Sequence, residues 1–319
     1  MKPIGGYFEL ADREQGDFIH KQGVLLNTGR NALEWILLSL GKIKKIYLPY
    51  YTCDVVLEPL RRLDIPWHFY QINKKLEIDE IVFPGTDEYI IVNNYFGVKD
   101  DYITQMVAKY GSKIIVDCAQ AFFAPVLPGT KMFYSPRKFV GVADGGIAYG
   151  VAKKLDFIDE YDSSRNSHHL IIRKEQGAEA GFSKYRADEA LLDNQLPQRM
   201  SAYTKDILEH IDYQTIIKKR RENYSILETV LSQYNLLTLP PLSSFSAPMV
   251  YPLMVENGYI MRKNLIGNKV FVPRFWPNEF VPNALIDGLK PSEVVLPLPI
   301  DQRYGSEEMK RIINLIQQH

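Results

Sequence analysis

The chain has no surplus of charge of either sign. Lys and Arg together number 38, and so do Asp and Glu, in 319 residues. A protein that binds nucleic-acid phosphates or an anionic membrane needs a basic excess, so neither partner is expected. Cysteine is scarce, with only Cys53 and Cys118. That excludes a disulfide framework and suits a reducing cytoplasm. Long apolar runs are also missing. "EWILLSL" and "YIIVNNYFGV" fall far short of the roughly 20 residues a membrane helix takes. The opening "MKPIGGYFELADREQGD" carries acids early and has no apolar stretch, so no secretory leader is expected. There is no internal repeat and no low-complexity segment.

What is present reads as a globular protein of two lobes. The apolar share of 46% is ordinary, and the length exceeds what one core comfortably supports. "GVLLN" and "IYL" are short apolar runs. The "GRNALEWILLSLG" between them sets Ala32, Leu33, Ile36, Leu37 and Leu40 on one helical face. Asn27 or Thr28 caps it and Gly41 ends it. Strands are then expected in "PWHFYQI", "YIIVNNYFG" and "KIIVDCAQ", with a helix in "DYITQMVAKYG". "KIIVD" is continuous and apolar, as buried parallel strands are. Such alternation predicts an α/β fold, a mostly parallel sheet covered by helices in three layers.

The pattern changes after about residue 155. A polar, helical or irregular stretch leads to a long helix in "DYQTIIKKRRENYSILETVLSQY". Strands in "PMVYPLMV" and "VFVPRFW" and a helix in "GSEEMKRIINLIQQ" follow. The expected division is a large lobe at 1–205 and a smaller α+β lobe at 206–319.

Ligands of open α/β sheets gather at the carboxyl ends of the strands. Three chemical signals fall there. "NTGRNAL" places Thr28, Gly29 and Arg30 at a helix N-terminus, whose free N–H groups suit a phosphate. Asp117 ends a buried strand, with Gln120 three residues on. Lys138 follows "FYSPR" and precedes a Gly-Gly pair. A phosphate cradle, a carboxylate and a lysine in one cleft suit pyridoxal phosphate. Asn94 and Tyr95, after the "YIIVN" strand, are candidate substrate contacts.

In this order the segments resemble the DegT-type sugar aminotransferase family of the fold-type I pyridoxal-phosphate enzymes. The resemblance is carried by "LNTGRNAL", "IYLPYYTCDVV", "VDCAQA", "FYSPRKFVGVADGG", "IIKKRRENYSIL" and "LPLPIDQRYGSEEMKRIINLI". It implies that Lys138 bonds the cofactor and shuttles the proton, and that Asp117 holds the pyridinium nitrogen. Gln120 would lie near the ring hydroxyl, and Gly29 and Arg30 would help hold the phosphate. Cys53 stands where the family often has a ring-stacking aromatic, so Tyr51 or another group would cover the ring. Phe133 stands where the family has a phosphate-binding serine, and Ser135 is the substitute. Asp144 replaces the glutamate of the glycine turn. No Asn-x-Arg motif is visible in 160–200.

The implied activity moves an amino group from a glutamate-like donor to a nucleotide-linked keto-sugar, for a polysaccharide or secondary metabolite. The implied state is a homodimer. Dehydration or elimination on the same scaffold, or a non-catalytic ligand-binding relative, are the alternatives. His168 and His169 are adjacent and unsupported by other ligands, so no metal site is expected. The basic run "KKRRENY" reads as a solvated face from which Arg220 or Arg221 could reach a phosphate. The aromatics of "RFWPNEF" either line the cleft or pack the small lobe, and packing is the favoured reading.

Overall fold

A computed structural model of the chain describes residues 2–151, 158–277 and 285–318. The strands are β1 (Ile4–Gly5), β2 (Val24–Leu26), β3 (Lys45–Pro49), β4 (Trp67–Tyr70), β5 (Glu88–Asn93), β6 (Ile114–Cys118), β7 (Lys131–Tyr134), β8 (Gly146–Tyr149), β9 (Val250–Met254), β10 (Val270–Phe271) and β11 (Val295–Pro299). The helices are α1 (Gly29–Leu40), α2 (Leu57–Arg62), α3 (Asp100–Tyr110), α4 (His168–Gln176), α5 (Phe182–Ala190), α6 (Ala202–Glu209), α7 (Tyr213–Leu231), α8 (Gly258–Gly267), α9 (Pro291–Val294) and α10 (Ser306–Gln317).

Seven strands form one sheet in the order β2-β8-β7-β6-β5-β3-β4. All the pairs from β4 to β7 are parallel, and β8 runs antiparallel to both its neighbours. Apolar residues cover both faces. On one, Leu33, Ile36 and Leu37 of α1 pack with Ile46, Leu48, Ile115 and Phe133. On the other, Ile103 of α3 and Ile216 of α7 pack with Ile90, Val92, Val116 and Tyr134. This is the expected layered, mostly parallel architecture. β7 and β8 were not expected as strands: each has only four residues, and both adjoin glycine or proline. "VFVPRFW" is a strand only at Val270–Phe271, and Pro273 stands two residues beyond it.

A separate core joins α7 and α10 to the β9–β11 pair, with Tyr224, Leu253, Leu298 and Ile312 at its centre. Pro252 and Pro297 face each other in that pair. The pair has no third strand, so the missing proline N–H groups cost it no outer ladder. β1 crosses from the N-terminus to pair with β10.

The basic run of α7 departs from its expected role. Arg220 is fully buried. Its Nη1 donates to the Pro248 and Met249 carbonyls at 3.1 and 3.0 Å, and its Nε to Gln302 Oε1 at 3.1 Å. The guanidinium also lies 4.7 Å from the centre of the Phe139 ring. Arg221 donates to the Ser243 and Ser246 carbonyls. Helical periodicity marked both as charged but could not show that carbonyls distant in sequence consume their donors.

His20 is buried between Tyr149 Oη, 3.1 Å from Nδ1, and the Phe122 carbonyl, 2.7 Å from Nε2. Burial pulls its pKa down to about 4. An unfolded imidazole takes its proton near about 6.5, so the folded chain binds fewer protons below that pH. Stability is therefore whole above about 6.5 and falls as pH drops towards about 4, by roughly 3 kcal/mol in all. His20→Gln is expected to flatten that decline. Urea midpoints of both proteins at several pH values check it, and an equal decline in the two would contradict it.

Candidate active site

Strand register assembles the site. Asn93 of β5 is paired with Asp117 of β6, and Asp117 with Phe133 of β7. All three stand at the carboxyl ends of parallel strands and line one cavity of about 220 Å³. Thr28, Gly29, Arg30, Cys53, Asn94, Gln120, Ser135 and Lys138 line it too. Of the cofactor and substrate contacts expected from the sequence, all but Tyr51 and Tyr95 are thus on one wall system.

The α1 end of the cavity follows from its cap. Thr28 has extended backbone, and its Oγ1 accepts from Asn31 N at 3.1 Å. The first N–H groups of the helix are left facing the cavity mouth, where an anion is favoured. A methyl on Gly29 would stand 3.4 Å from Ser135 Cβ, narrowing the same corner. The Arg30 guanidinium is not free to serve there. It pairs with Glu58 and, at 3.0 Å, with Asp193. Those carboxylates hold its pKa above the ordinary value against the opposing effect of burial.

Lys138 sits in a single 3₁₀ turn, Pro136–Lys138, directly after β7. The Phe139 carbonyl beside it accepts from Gln302 Nε2 at 2.7 Å and Arg220 Nη2 at 3.4 Å. The Gly-Gly pair completes the frame. Gly145 has φ +130°, and its N–H donates to the Asn27 carbonyl at 2.6 Å. A side chain on Gly146 would stand 2.0 Å from the Thr28 carbonyl oxygen. The glycines therefore let the turn after Lys138 press against the α1 cap, bringing lysine and cap to one cavity. Asp144, just before them, is fully buried and accepts from Ser201 N, Ser201 Oγ and Thr204 Oγ1 at the start of α6. Gly146→Ala is expected to destabilise the protein by about 3 kcal/mol, the upper range for overpacking, because the clash is with backbone. A chemical denaturation curve checks it; an unchanged midpoint would show that the contact can open.

The electrostatics suit a charged ring. Burial pushes the Asp117 carboxyl up, while Lys138 and the Ala119 N–H, 2.8 Å from Oδ1, pull it back. The Cys53 thiol is likewise raised by burial and opposed by Lys138. Three buried polar atoms of residues lining the cavity have no hydrogen-bond partner among the described residues: Gln120 Nε2, Asn93 Oδ1 and Arg137 Nε. Gln120 Oε1 accepts from Phe96 N at 3.0 Å, which fixes the amide with its donor unspent. A buried donor left unpaired costs about 1–3 kcal/mol, so a ligand that takes it gains accordingly. Carboxylate, free amide donor, helix cap and lysine together fit pyridoxal phosphate.

Several expectations are corrected. Tyr95 does not reach the cavity: it is 2% exposed and donates to the Tyr51 carbonyl at 2.5 Å. Asn94 lines the cavity, but its amide is spent on Asp100 Oδ1 and Lys99 N. Tyr51 is buried, stacked 5.8 Å from Tyr95, and does not line the cavity. The aromatics that do are Phe133 and Trp276, the latter edge-on to Tyr51 at 4.8 Å. The "RFWPNEF" aromatics therefore reach the cleft at Phe275 and Trp276, while Asn278–Phe280 lie outside the described residues. His168 is exposed, and His169 lies 2.8 Å from Asp188. No metal-ligand cluster occurs among the described residues.

Sequence reasoning missed Asn93, Arg137 and Glu189, and it favoured packing over the cleft for Trp276. Arg137 had a local signal in its adjacency to Lys138. Glu189, which pairs with Arg137 across 52 residues, had none.

A second cavity of about 840 Å³ opens from the first and shares Ser135, Arg137, Lys138 and Glu189 with it. Its far walls come from the N-terminal segment, from α4 and α5, and from the β9–β11 side.

No protein-family profile matches the chain, and no curated protein matches it. Solved structures do. AtS13 from Actinomadura melliaura aligns at 14% identity with a TM-score of 0.65, over 100% of this chain and 99% of that one. The putative sugar aminotransferase Spr1654 from Streptococcus pneumoniae, in its PMP form, aligns at 16% identity and 0.65, over 98% and 91%. DesV from S. venezuelae, solved in complex with a ketimine intermediate, aligns at 14% and 0.65, over 93% and 84%. The chain shares their fold from end to end.

Proposed function

We propose that this chain, which has the fold of the sugar aminotransferases, is itself a pyridoxal-phosphate-dependent aminotransferase of the DegT type. The observation that carries the reading is the meeting of Asp117, Lys138 and the α1 cap at one cavity. When bound, the cofactor supplies an electron sink for a carbanion at the substrate's α-carbon. Nζ of Lys138 would hold it covalently and, once released, would serve as the general base that takes the α-proton and delivers it to the carbon on the other side of the amino nitrogen. The Asp117 carboxylate would accept from the ring nitrogen and keep it protonated. Gln120 Nε2 would donate to the ring hydroxyl, Cys53 and Trp276 would flank the ring, and Thr28, Gly29, Ser135 and the Arg30 backbone would hold the phosphate. On this reading the chain divides into a lobe at 1–205 and one at 206–319, with the cleft excluding water from the lysine.

The acceptor is a keto-sugar, by the fold's likeness to enzymes named for sugars, carried on a nucleotide as the sequence resemblance implies. The working form is a homodimer on the same ground. Absorbance spectra of the purified protein with cofactor, then with an amino acid, then with a panel of nucleotide keto-sugars test the reading. Shift of the cofactor band by the amino acid and its restoration by a keto-sugar are expected. A band that no amino acid moves would contradict transamination.

A further inference from the structure

We infer that His169, oriented by Asp188, binds the acceptor sugar by accepting a hydrogen bond from one of its hydroxyl groups. The inference rests on the function proposed above. His169 stands in the first turn of α4 and lines the 840 Å³ cavity, whose wall also holds Lys138. It is only 2% exposed, with its ring set between Tyr185 at 5.4 Å and Tyr7 at 5.8 Å. Asp188 of α5 grips it twice: Oδ2 accepts from the His169 backbone N–H at 3.2 Å and from Nδ1 at 2.8 Å. Lys184 Nζ stands 2.8 Å from Oδ1 and balances the carboxylate charge.

That grip sets the tautomer. Burial pushes the Asp188 carboxyl up, but Lys184 and the two His169 groups outweigh it and hold it below the usual range. An ionised carboxylate only accepts, so Nδ1 carries the ring proton. Burial pulls the imidazole pKa down, further than Asp188 lifts it. A helix N-terminus likewise disfavours a positive ring. The ring is therefore neutral at about pH 7, with its lone pair on Nε2. Nε2 makes no hydrogen bond among the described residues and is not one of their enclosed unpaired atoms, so it meets the open cavity. The other charged and titratable groups around the ring are Tyr7, Tyr185, Arg137, Glu189 and Arg173, and none of them bonds to Nε2.

Whatever meets Nε2 must bring a donor. The carboxylates of an amino acid and of the 2-oxo acid it leaves as have none to give. The donor group every amino acid shares is its ammonium, and that nitrogen is the one transferred at Lys138. A keto-sugar carries neutral hydroxyls beside its carbonyl, and one of these fits the lone pair.

His169→Asn tests this, because the asparagine amide can still donate to Asp188 while nothing takes the place of Nε2. UDP-glucose, dTDP-glucose and GDP-mannose, each beside its free nucleoside diphosphate, are titrated calorimetrically into the cofactor-loaded protein. For the sugar nucleotide that binds best, the variant is expected to bind about tenfold or more weakly, while affinity for its diphosphate changes less than about threefold. In single turnovers, reaction with L-glutamate should stay within about threefold of wild type, and the return reaction with the best keto-sugar of the panel should slow about tenfold or more. No loss for the sugar nucleotide, equal losses for it and the diphosphate, or equal slowing of both half-reactions would overturn the inference. Failure of all three sugar nucleotides to bind a protein whose cofactor band glutamate moves would also overturn it, and would leave transamination standing. Absence of any cofactor band in the wild type would overturn both readings.

Discussion

In Asp117→Ala, cofactor is still attached at Lys138 but turnover falls about a thousandfold, close to the ~4 kcal/mol that loss of one preorganised electrostatic partner costs at most. The separation of the two effects is the point. Lys138 stands on its own turn after β7, fixed by Gln302, Arg220 and the glycine contact with Thr28, none of which involves Asp117. Asp117 stands on β6 and touches that turn only through charge. Removing the carboxylate therefore leaves the amine in place while the ring nitrogen loses the group that keeps it protonated. Asp117→Asn should resemble the alanine variant, because an amide cannot hold that proton. The check is a visible spectrum beside a steady-state rate: wild-type turnover in either variant would remove Asp117 from the chemistry.

Arg220→Met should lower stability by about 4 kcal/mol, the cost of breaking a buried charged network rather than of losing a surface ion pair. Methionine nearly matches the volume but leaves the Pro248 and Met249 carbonyls without these donors. Phe139 keeps Gln302 as a donor, so the lysine turn is loosened rather than released. The melting temperature should fall by roughly 10 °C for a chain of this size. Cofactor attachment should also slow, since Phe139 adjoins Lys138. Arg221→Met, by contrast, should cost about 1 kcal/mol, as an ordinary hydrogen-bonding change does. Thermal and urea unfolding of the pair decide it; equal losses would mean that α7 is held by its apolar face alone.

These residues also show how far the sequence was legible. β6 could be read because a strand buried on both faces has to be continuously apolar, and its terminal acid then stands out. α1 could be read from its spacing, its Thr28 cap and its Gly41 stop. Lys138 could be read from the proline before it and the glycines after it. What stayed hidden depends on pairings distant along the chain. Nothing local to "KKRRENY" tells that Arg220 meets the Phe139, Pro248 and Met249 carbonyls. Nothing local to "YFG" tells that the Phe96 N–H will occupy Gln120 Oε1 and leave Nε2 free. β7 and β8 were missed because four residues give too short a pattern, although the register of β7 with β6 is what sets Phe133 beside Asp117. Tyr95 was misplaced because the chain turns sharply at Phe96, φ +56°, and drives the tyrosine under the cavity instead of into it.

The claim on which the account depends is that one lysine carries the cofactor. The protein should be mixed with pyridoxal phosphate, reduced with borohydride, digested, and mapped by mass spectrometry. The expected result is a single pyridoxyl adduct on Lys138, absent from Lys138→Ala, with Asp117→Ala still labelled. An adduct spread over surface lysines, or one unchanged in Lys138→Ala, would contradict the account at its centre.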